Sequence, residues 1–217
     1  MKKKNFLIPF LVIATVTIVV GQQDPKAKEI LDAMSNTYKQ IKSFQADLDY
    51  KMNNETEGIN ELYKGKISVK GEKYQLVMQD QEIYNDGTTV WTYLPNLDIP
   101  EVTIDNNDPD GGDITPSSIF NLYKEGYKYL YINSITVNGR SYDVIDLIPN
   151  DKDAQYFKVK IEIGTKDRLI RIFTLFDREG SQYSYLITNF KSDVNLGDSF
   201  FSFDVSKLSE DQIIDIR

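Results

Sequence analysis

The chain has 217 residues, a formal net charge of −8 at pH 7, and neither histidine nor cysteine. These absences exclude Ser-His-Asp and Cys-His nucleophile systems, His-ligated zinc, disulfides, and lipid attachment through an N-terminal cysteine. The acidic charge repels nucleic acid and anionic lipid headgroups, so no nucleic-acid partner is expected.

Residues 1–21 have the pattern of a cleaved secretory signal peptide. Three lysines precede an apolar run from Phe6 to Val20, and Gly21 favours cleavage. The run is short for a membrane span, so a retained anchor is the weaker alternative. We therefore predict that residues 22–217 form one exported domain, with a net charge of −11 once the three lysines are removed.

Two helices are predicted. The first runs from Asp24 to Ile41, where apolar residues recur at steps of three and four between charged ones. Asp24 is a favourable N-cap, and Pro25 suits the first helical position. A second, shorter helix is predicted from Pro116 to Lys124.

The remaining pattern alternates apolar and polar residues, which predicts β-strands separated by turn signals. The clearest hairpin has an Asp86-Gly87 turn, and its second strand carries the only tryptophan, Trp91. About nine to eleven antiparallel strands with only two helices predict a sheet that curls, with its concave face covered by helices, by ligand or by both. The predicted strands and hairpin are 44–52, 63–69, 74–78, 83–95, 127–137, 142–148, 155–163, 168–176, 182–190 and 200–205.

The segment from Asp105 to Asp113 is rich in Asp, Asn and Gly. Its Asn106, Asp108, Asp110 and Gly111 mimic the start of an EF-hand calcium loop. However, Ser117 occupies the position where the bidentate glutamate is needed. We interpret the segment as a solvated loop and predict that the protein requires no metal or cofactor.

Five short motifs, in this order and spacing, resemble the LolA family of periplasmic lipoprotein carriers. The resemblance implies an α+β fold: an incomplete, unclosed antiparallel β-barrel with a hydrophobic cavity covered by a helical lid. It also implies a monomeric periplasmic carrier that moves acylated outer-membrane lipoproteins from an inner-membrane ABC transporter to an outer-membrane acceptor. The motifs are SFQADL (43–48), GKISV (65–69), NDGTTVWTYLP (85–95), Thr115-Pro116 and FFSFDV (200–205).

Two positions depart from the family pattern. Gly71-Glu72 stands where the family often has a basic residue and a proline, near the arginine that helps to hold the lid. Ser206-Lys207 replaces the Pro-Gly step that often follows the final strand. The family's lid latch and the path of its C-terminal tail therefore do not transfer to this chain.

The predicted acyl-chain lining consists of apolar residues on strand faces and on the lid. Plain core packing explains each position about equally well. Two other functions stay open: an envelope lipid-binding or sensor protein of the same fold, and a hydrolase that uses paired carboxylates, such as a glycosidase. The lining candidates are Phe44, Leu48, Ile67, Val69, Tyr74, Leu76, Trp91, Tyr93, Ile119, Phe120 and Tyr123.

Overall fold

The computed structural model describes residues 23–108 and 114–217. The predicted signal peptide lies outside the described residues, so its cleavage stays a prediction. One α-helix, α1 (Pro25–Gln40), precedes twelve strands in the described part of the chain. The strands are β1 (Phe44–Asn54), β2 (Ile59–Lys70), β3 (Lys73–Val77), β4 (Glu82–Asn85), β5 (Thr89–Leu94), β6 (Glu101–Asn106), β7 (Tyr127–Val137), β8 (Arg140–Pro149), β9 (Tyr156–Gly164), β10 (Ile170–Asp177), β11 (Gln182–Ser192) and β12 (Ile213–Asp215).

All twelve strands belong to a single sheet, in the order β12-β6-β5-β4-β3-β2-β1-β11-β10-β9-β8-β7. Neighbouring strands pair antiparallel, except that β12 runs parallel to β6. Strands β12 and β7 end the order and are not bonded to each other, so the sheet curls without closing. The predicted α+β fold, an unclosed antiparallel β-barrel with a helical lid, is confirmed.

Helix α1 packs its apolar stripe into the core on the concave face of this sheet. Ala27, Leu31 and Met34 are fully buried and belong to the same core cluster as the inward residues of β1, β2, β9 and β10. The hydroxyl of Tyr38 accepts a hydrogen bond from the backbone N of Ile170 at 3.1 Å. Packing and this bond together fix the helix to the sheet.

The start of α1 is hydrogen-bonded to the edge strand β7. Oδ1 of Asp24 accepts from the backbone N of Lys26 and Ala27 at 2.9 and 3.2 Å, as the predicted N-cap requires. Its Oδ2 accepts from the backbone N of Tyr131 at 2.9 Å, and this bond is the main reason that the pKa of Asp24 is lowered. Because strand edges expose unpaired backbone groups, Asp24 both begins the helix and covers part of that edge.

The helix predicted from Pro116 to Lys124 is wrong in its geometry. The segment is a run of turns that ends in a 3-10 helix at Leu122–Lys124. Oγ of Ser118 accepts from the backbone N of Thr115 at 2.9 Å, and Oγ1 of Thr115 accepts from the backbone N of Ser118 at 3.1 Å. Such local side-chain bonds compete with a continuous helix. Residues 114–124 are termed the cover segment below.

The C-terminal region also differs from its prediction. Residues 200–205 were predicted as a strand, but Asp198–Phe201 and Val205–Lys207 form 3-10 helices instead. The short strands β6 and β12 were not predicted. Because β6 includes Asp105 and Asn106, the predicted acidic loop begins later than expected, and its residues 109–113 lie outside the described part.

Candidate functional site

An apolar cavity of about 90 Å³ lies between the concave face and the cover segment. Strands β1, β2 and β3 line one side of it, and β10 and β11 line the other. No charged side chain is among its lining residues in the described chain. The lining residues are Phe44, Leu48, Ile67, Leu76, Ile114, Thr115, Pro116, Ile119, Phe120, Phe173, Leu175, Tyr185 and Ile187.

Side chains of α1 hold the cover segment in place. The Phe120 ring stacks on the Tyr38 ring, with centroids 3.7 Å apart. One turn earlier on the helix, Ser35 donates from its hydroxyl to Oδ1 of Asn121 at 2.9 Å. The cover segment is therefore attached in a different way from the family's lid, which an arginine helps to hold.

A third contact joins the end of the cover segment to α1. The Tyr123 hydroxyl donates to Oδ1 of Asp32 at 2.7 Å, and Nζ of Lys28 lies 2.6 Å from Oδ2 of the same carboxylate. The pKa of Asp32 is lowered by the Lys28 ammonium first and by the Tyr123 hydroxyl second. Burial raises the pKa of Tyr123, and its bond to Asp32 adds to the effect. Ionised Asp32 thus accepts bonds from both helix and cover.

Gly71 and Glu72 border the same region. They form the turn between β2 and β3, where Gly71 has φ +59°, a backbone conformation that favours glycine. A recess beside Phe120 and Asn121 is lined by both turn residues. The two positions that depart from the family pattern therefore lie next to the cover segment. The three contacts described above come from α1, and the rings of Phe120 and Tyr123 also lie 5.9 and 6.1 Å from those of Phe44 on β1 and Tyr129 on β7.

The structure brings most of the predicted lining residues together. Six of them line the cavity: Phe44, Leu48, Ile67, Leu76, Ile119 and Phe120. Three others, Val69, Tyr74 and Tyr123, are buried in the core cluster around it. Whether any of these residues binds acyl chains stays a prediction.

Trp91 and Tyr93 do not line the cavity, and their prediction as lining residues is wrong. Residues paired across neighbouring strands share a face, and Val90 pairs with Asn85, which pairs with the concave-face residue Tyr74. Trp91 and Tyr93 therefore do not share the face of Tyr74, since side chains alternate along a strand. On the convex face, the Tyr93 ring lies 4.7 Å from the Phe203 ring.

Sequence reasoning missed the half of the cavity that β10 and β11 provide. Phe173 and Leu175 alternate along β10, and Tyr185 and Ile187 alternate along β11. The alternation was visible and predicted the strands. Nothing in the pattern indicated which face would be concave, so these residues were not named.

A row of aromatic side chains crosses four neighbouring strands on the concave face. Tyr63, Tyr50, Tyr185 and Phe173 occupy paired positions on β2, β1, β11 and β10. Successive ring centroids lie 6.0, 4.9 and 4.5 Å apart. Burial is the main cause that raises the pKa of Tyr50 to about 12, and it also raises the pKa of Tyr185.

These raised pKa values predict alkaline destabilisation. Tyrosine in the unfolded chain titrates at about pH 10. Because the pKa of these tyrosines is higher in the folded protein, their contribution to the free energy of unfolding is complete below about pH 10 and is lost as the pH rises through the folded pKa. We expect the free energy of unfolding to fall between about pH 10 and 12, measured by urea unfolding at each pH. Tyr50→Phe should make the fall shallower, whereas a parent protein with constant stability across this range contradicts the assignment.

Two further features of the described residues bear on function. None of their helices is long and apolar enough to cross a bilayer. They contain no group of three or more metal-binding side chains close enough to hold an ion. Asp110 and Gly111 of the calcium-like sequence lie outside the described residues.

The fold and the cavity together define a class of protein: an unclosed β-barrel with an internal apolar site under a cover. The sequence model of the family described as outer membrane lipoprotein carrier protein LolA matches residues 39–204. The chain therefore belongs to the LolA family. A search of curated protein sequences gave no significant match.

Two solved structures with TM-scores above 0.5 show the same fold at low sequence identity. An uncharacterised conserved protein from Thermus thermophilus has a TM-score of 0.57 at 12% identity, covering 88% of this chain and 99% of its own. The Mycobacterium tuberculosis lipoprotein LppX has a TM-score of 0.51 at 11% identity, covering 80% and 100%. A LolA superfamily protein from Nitrosomonas europaea has a TM-score of 0.44 at 14% identity, covering 82% and 97%.

Proposed function

We propose that the protein is a periplasmic carrier that binds the acyl chains of lipoproteins in its apolar cavity and moves them from the inner to the outer membrane. Its partners are acylated lipoproteins, the inner-membrane ABC transporter that releases them, and an outer-membrane acceptor. Membership of the LolA family supports this proposal. The observation that carries it is an uncharged cavity closed by a segment that three side-chain contacts attach to α1.

The physical need for such a carrier follows from the hydrophobic effect. Each buried methylene is worth about 0.8 kcal/mol, so long acyl chains do not cross an aqueous space unprotected. The cavity of about 90 Å³ is smaller than the roughly 150 Å³ that holds one benzene. Loading therefore requires the cover segment to move away from the concave face.

An envelope lipid-binding or sensor protein of the same fold is the second candidate. The cavity recognises acyl chains but not the group to which they are attached, so its chemistry fits both candidates. A hydrolase based on paired carboxylates has less support, because no carboxylate is among the cavity's described lining residues.

The test is a loading assay with purified protein. Detergent-solubilised lipoprotein is mixed with the carrier, the detergent is removed, and soluble complex is measured by gel filtration. We expect the acylated lipoprotein to elute with the carrier and the same protein without acyl chains to elute alone. If the non-acylated form loads equally well, acyl-chain carriage is the wrong function; if only free phospholipid is retained, the second candidate replaces it.

A further inference from the structure

The pairing between β10 and β11 stops while both strands continue. Its last pair joins Ile172 to Leu186, yet β11 extends to Ser192. Beyond Leu186, β11 pairs only with β1 among the strands of the described chain. Between β10 and β11 lies a pocket of about 560 Å³, lined in part by residues 169–171 and 186–190. This pocket is termed the strand notch.

The strand notch passes between the strands and reaches both faces of the sheet. Leu186 and Ile187 are consecutive, so their side chains point to opposite faces, but both line the notch. On the concave side, Ile187 also lines the apolar cavity, and the Phe190 ring stacks on the Phe44 ring with centroids 5.0 Å apart. The concave side of the notch is therefore apolar. The volume falls within the range of small-ligand pockets, about 300 to 1,000 Å³.

The convex side of the notch is basic. Ile145 belongs to the core on the concave face, and side chains alternate along β8, so Tyr142 and Arg140 point to the convex face. The guanidinium of Arg171 lies 4.9 Å from the centre of the Tyr142 ring. Arg140 and Arg171 therefore line the notch from the same face of the sheet.

One of these two arginines has no acidic partner. Arg171 is paired with Glu162, whereas Arg140 is exposed and forms none of the ion pairs in the described chain. Asp167 is the only acid among the described lining residues of the notch, and its Oδ1 accepts from the backbone N of Leu169 at 3.1 Å. Because a guanidinium binds a carboxylate through parallel N–H donors, Arg140 can bind an acidic group.

The β11 side of the notch is a free strand edge. In an antiparallel ladder, successive residues direct their backbone groups to alternate sides, so half of those groups in residues 187–191 point away from β1. None of the turn, loop or cap backbone hydrogen bonds in the described chain involves these residues. On the β10 side, by contrast, the backbone N of Ile170 donates to the Tyr38 hydroxyl, and the carbonyl of Leu169 accepts from the backbone N of Gly164 at 2.9 Å.

A bulge limits the length of this free edge. The register between β11 and β1 shifts between Gln45 and Asp47, and Asn189, which lies there, has φ +50°. A bulge bends the strand and interrupts regular pairing. An added strand therefore pairs with β11 over about three residues, which span about 10 Å.

We propose that the strand notch binds an extended peptide of a partner protein, one that carries an acidic residue next to an apolar residue. The peptide adds a short strand to the free edge of β11. Because adjacent residues of a strand point to opposite faces, the acidic side chain meets Arg140 on the convex face while its apolar neighbour meets Ile187 and Phe190 on the concave face. A fatty acid is a poorer occupant, since it offers a carboxylate and an apolar chain but no groups that pair with the β11 backbone.

This inference goes beyond acyl-chain carriage and does not depend on it. None of the described lining residues of the notch belongs to the cover segment, so the site is the same whether the cover is closed or raised. The notch is thus a place where a second protein holds the chain independently of its cargo.

The first experiment measures binding of the capped peptide acetyl-Ser-Val-Glu-Leu-Thr-Ser-amide, whose only carboxylate is that of its glutamate. Its site is read from the amide NMR signals of Thr188 and Asn189, which line the notch but not the apolar cavity. We expect these signals to shift with a Kd of about 1 mM or below. At about 0.15 M ionic strength, the same peptide with glutamine in place of glutamate should bind about threefold more weakly. Sodium octanoate should bind there at least about tenfold more weakly, because it makes no backbone hydrogen bonds.

Backbone methylation tests the addition of a strand. Two further versions of the peptide carry N-methyl groups on alternate residues, one on valine and leucine and the other on glutamate and threonine. Because a strand bonds to its neighbour through alternate residues, one version should lose about tenfold in affinity and the other should keep most of it. Equal effects of the two methylations would contradict strand addition.

A matched pair of variants tests the role of the arginine. Arg140→Gln should weaken the glutamate peptide about threefold and leave the glutamine peptide unchanged. Lys128→Gln removes the same charge at an exposed position of β7 that is not among the lining residues of the notch, and it should change neither affinity.

The remaining outcomes are equally decisive. The inference is wrong if the signals of Thr188 and Asn189 do not shift at about 1 mM glutamate peptide, or if the glutamate and glutamine peptides bind alike. It is also wrong if Arg140→Gln and Lys128→Gln have the same effect. If octanoate binds the notch as tightly as the peptide, the site belongs to a fatty acid instead. None of these results alters the expected loading of lipoprotein, so this inference and the proposed function fail separately.

Discussion

Joining the cover segment to α1 should abolish loading. Lys39 on the helix and Lys124 at the end of the cover are both exposed. Desolvation is the main cause that lowers the pKa of Lys124, and the positive charge of Lys39 lowers it further. The chain has no cysteine, so Lys39→Cys with Lys124→Cys introduces the only two thiols. A bifunctional methanethiosulfonate reagent can then join them, and dithiothreitol can release them.

We expect the joined protein to lose loading because α1 is fixed to the sheet. The helix is fixed to the sheet by its buried stripe, by the bond between Tyr38 and Ile170, and by the bond between Asp24 and Tyr131. The cover must therefore separate from the helix if acyl chains are to enter a cavity of about 90 Å³. A covalent joint removes that movement without filling the cavity.

The loading assay with detergent-solubilised lipoprotein measures the result. Joined protein should give no soluble complex, and dithiothreitol should restore the complex to the parent level. Asn36→Cys with Lys39→Cys is the matched control, because it joins two exposed positions of α1 to each other and leaves the cover free. Full loading by the joined protein would show instead that helix and cover open together.

Strand positions were predictable because alternation is a local property. The prediction 127–137 coincides with β7, and the other long strands agree to within a few residues. Each depends on a run of side chains that alternate between two environments. The curl of the sheet was also predictable, since so many strands with so few helices do not form a flat layer.

The face of a strand was not predictable where both faces are apolar. In β5, Val90, Thr92 and Leu94 alternate with Trp91 and Tyr93, so periodicity alone does not say which set is inside. The decision depends on distant residues: the C-terminal segment brings Phe203 to the convex face beside Tyr93. Tyr93 therefore packs on the convex face against the C-terminal segment, which had been predicted as a strand.

The cover segment was predicted as a helix but forms turns, for a local reason that its composition does not indicate. Its apolar residues have helical spacing, but Thr115 and Ser118 bond to each other's backbone and favour turns. Gly126, with φ +77°, then directs the chain into β7. The attachment of this segment to α1 depends on residues about 86 to 91 positions apart, Ser35 with Asn121 and Asp32 with Tyr123, which no local pattern links.

A single charge introduced into the cover segment should abolish loading and lower stability only to a limited extent. Phe120 is buried, stacks on Tyr38 and lines the cavity. In Phe120→Glu the carboxylate is hydrated when the cover is raised, but an acyl chain beneath the closed cover would leave it without water or a hydrogen-bond partner. We therefore expect the soluble lipoprotein complex to disappear in the gel-filtration assay.

The effect on stability should be limited. A variant that loses the closed cover still keeps the rest of the fold, so the global loss does not exceed the free energy of opening the cover. We expect the free energy of unfolding in urea to fall by about 2 kcal/mol or less. Leu48→Glu, at a buried position within β1, should by contrast lower both stability and loading.

Phe157→Glu provides the matched control. Phe157 is 41% exposed and is not among the residues that line the cavity. The same change there should leave loading at the parent level, because the new carboxylate stays in water whether or not acyl chains are bound. If Phe120→Glu folds normally and loads like the parent and like Phe157→Glu, acyl chains do not enter beneath the cover segment.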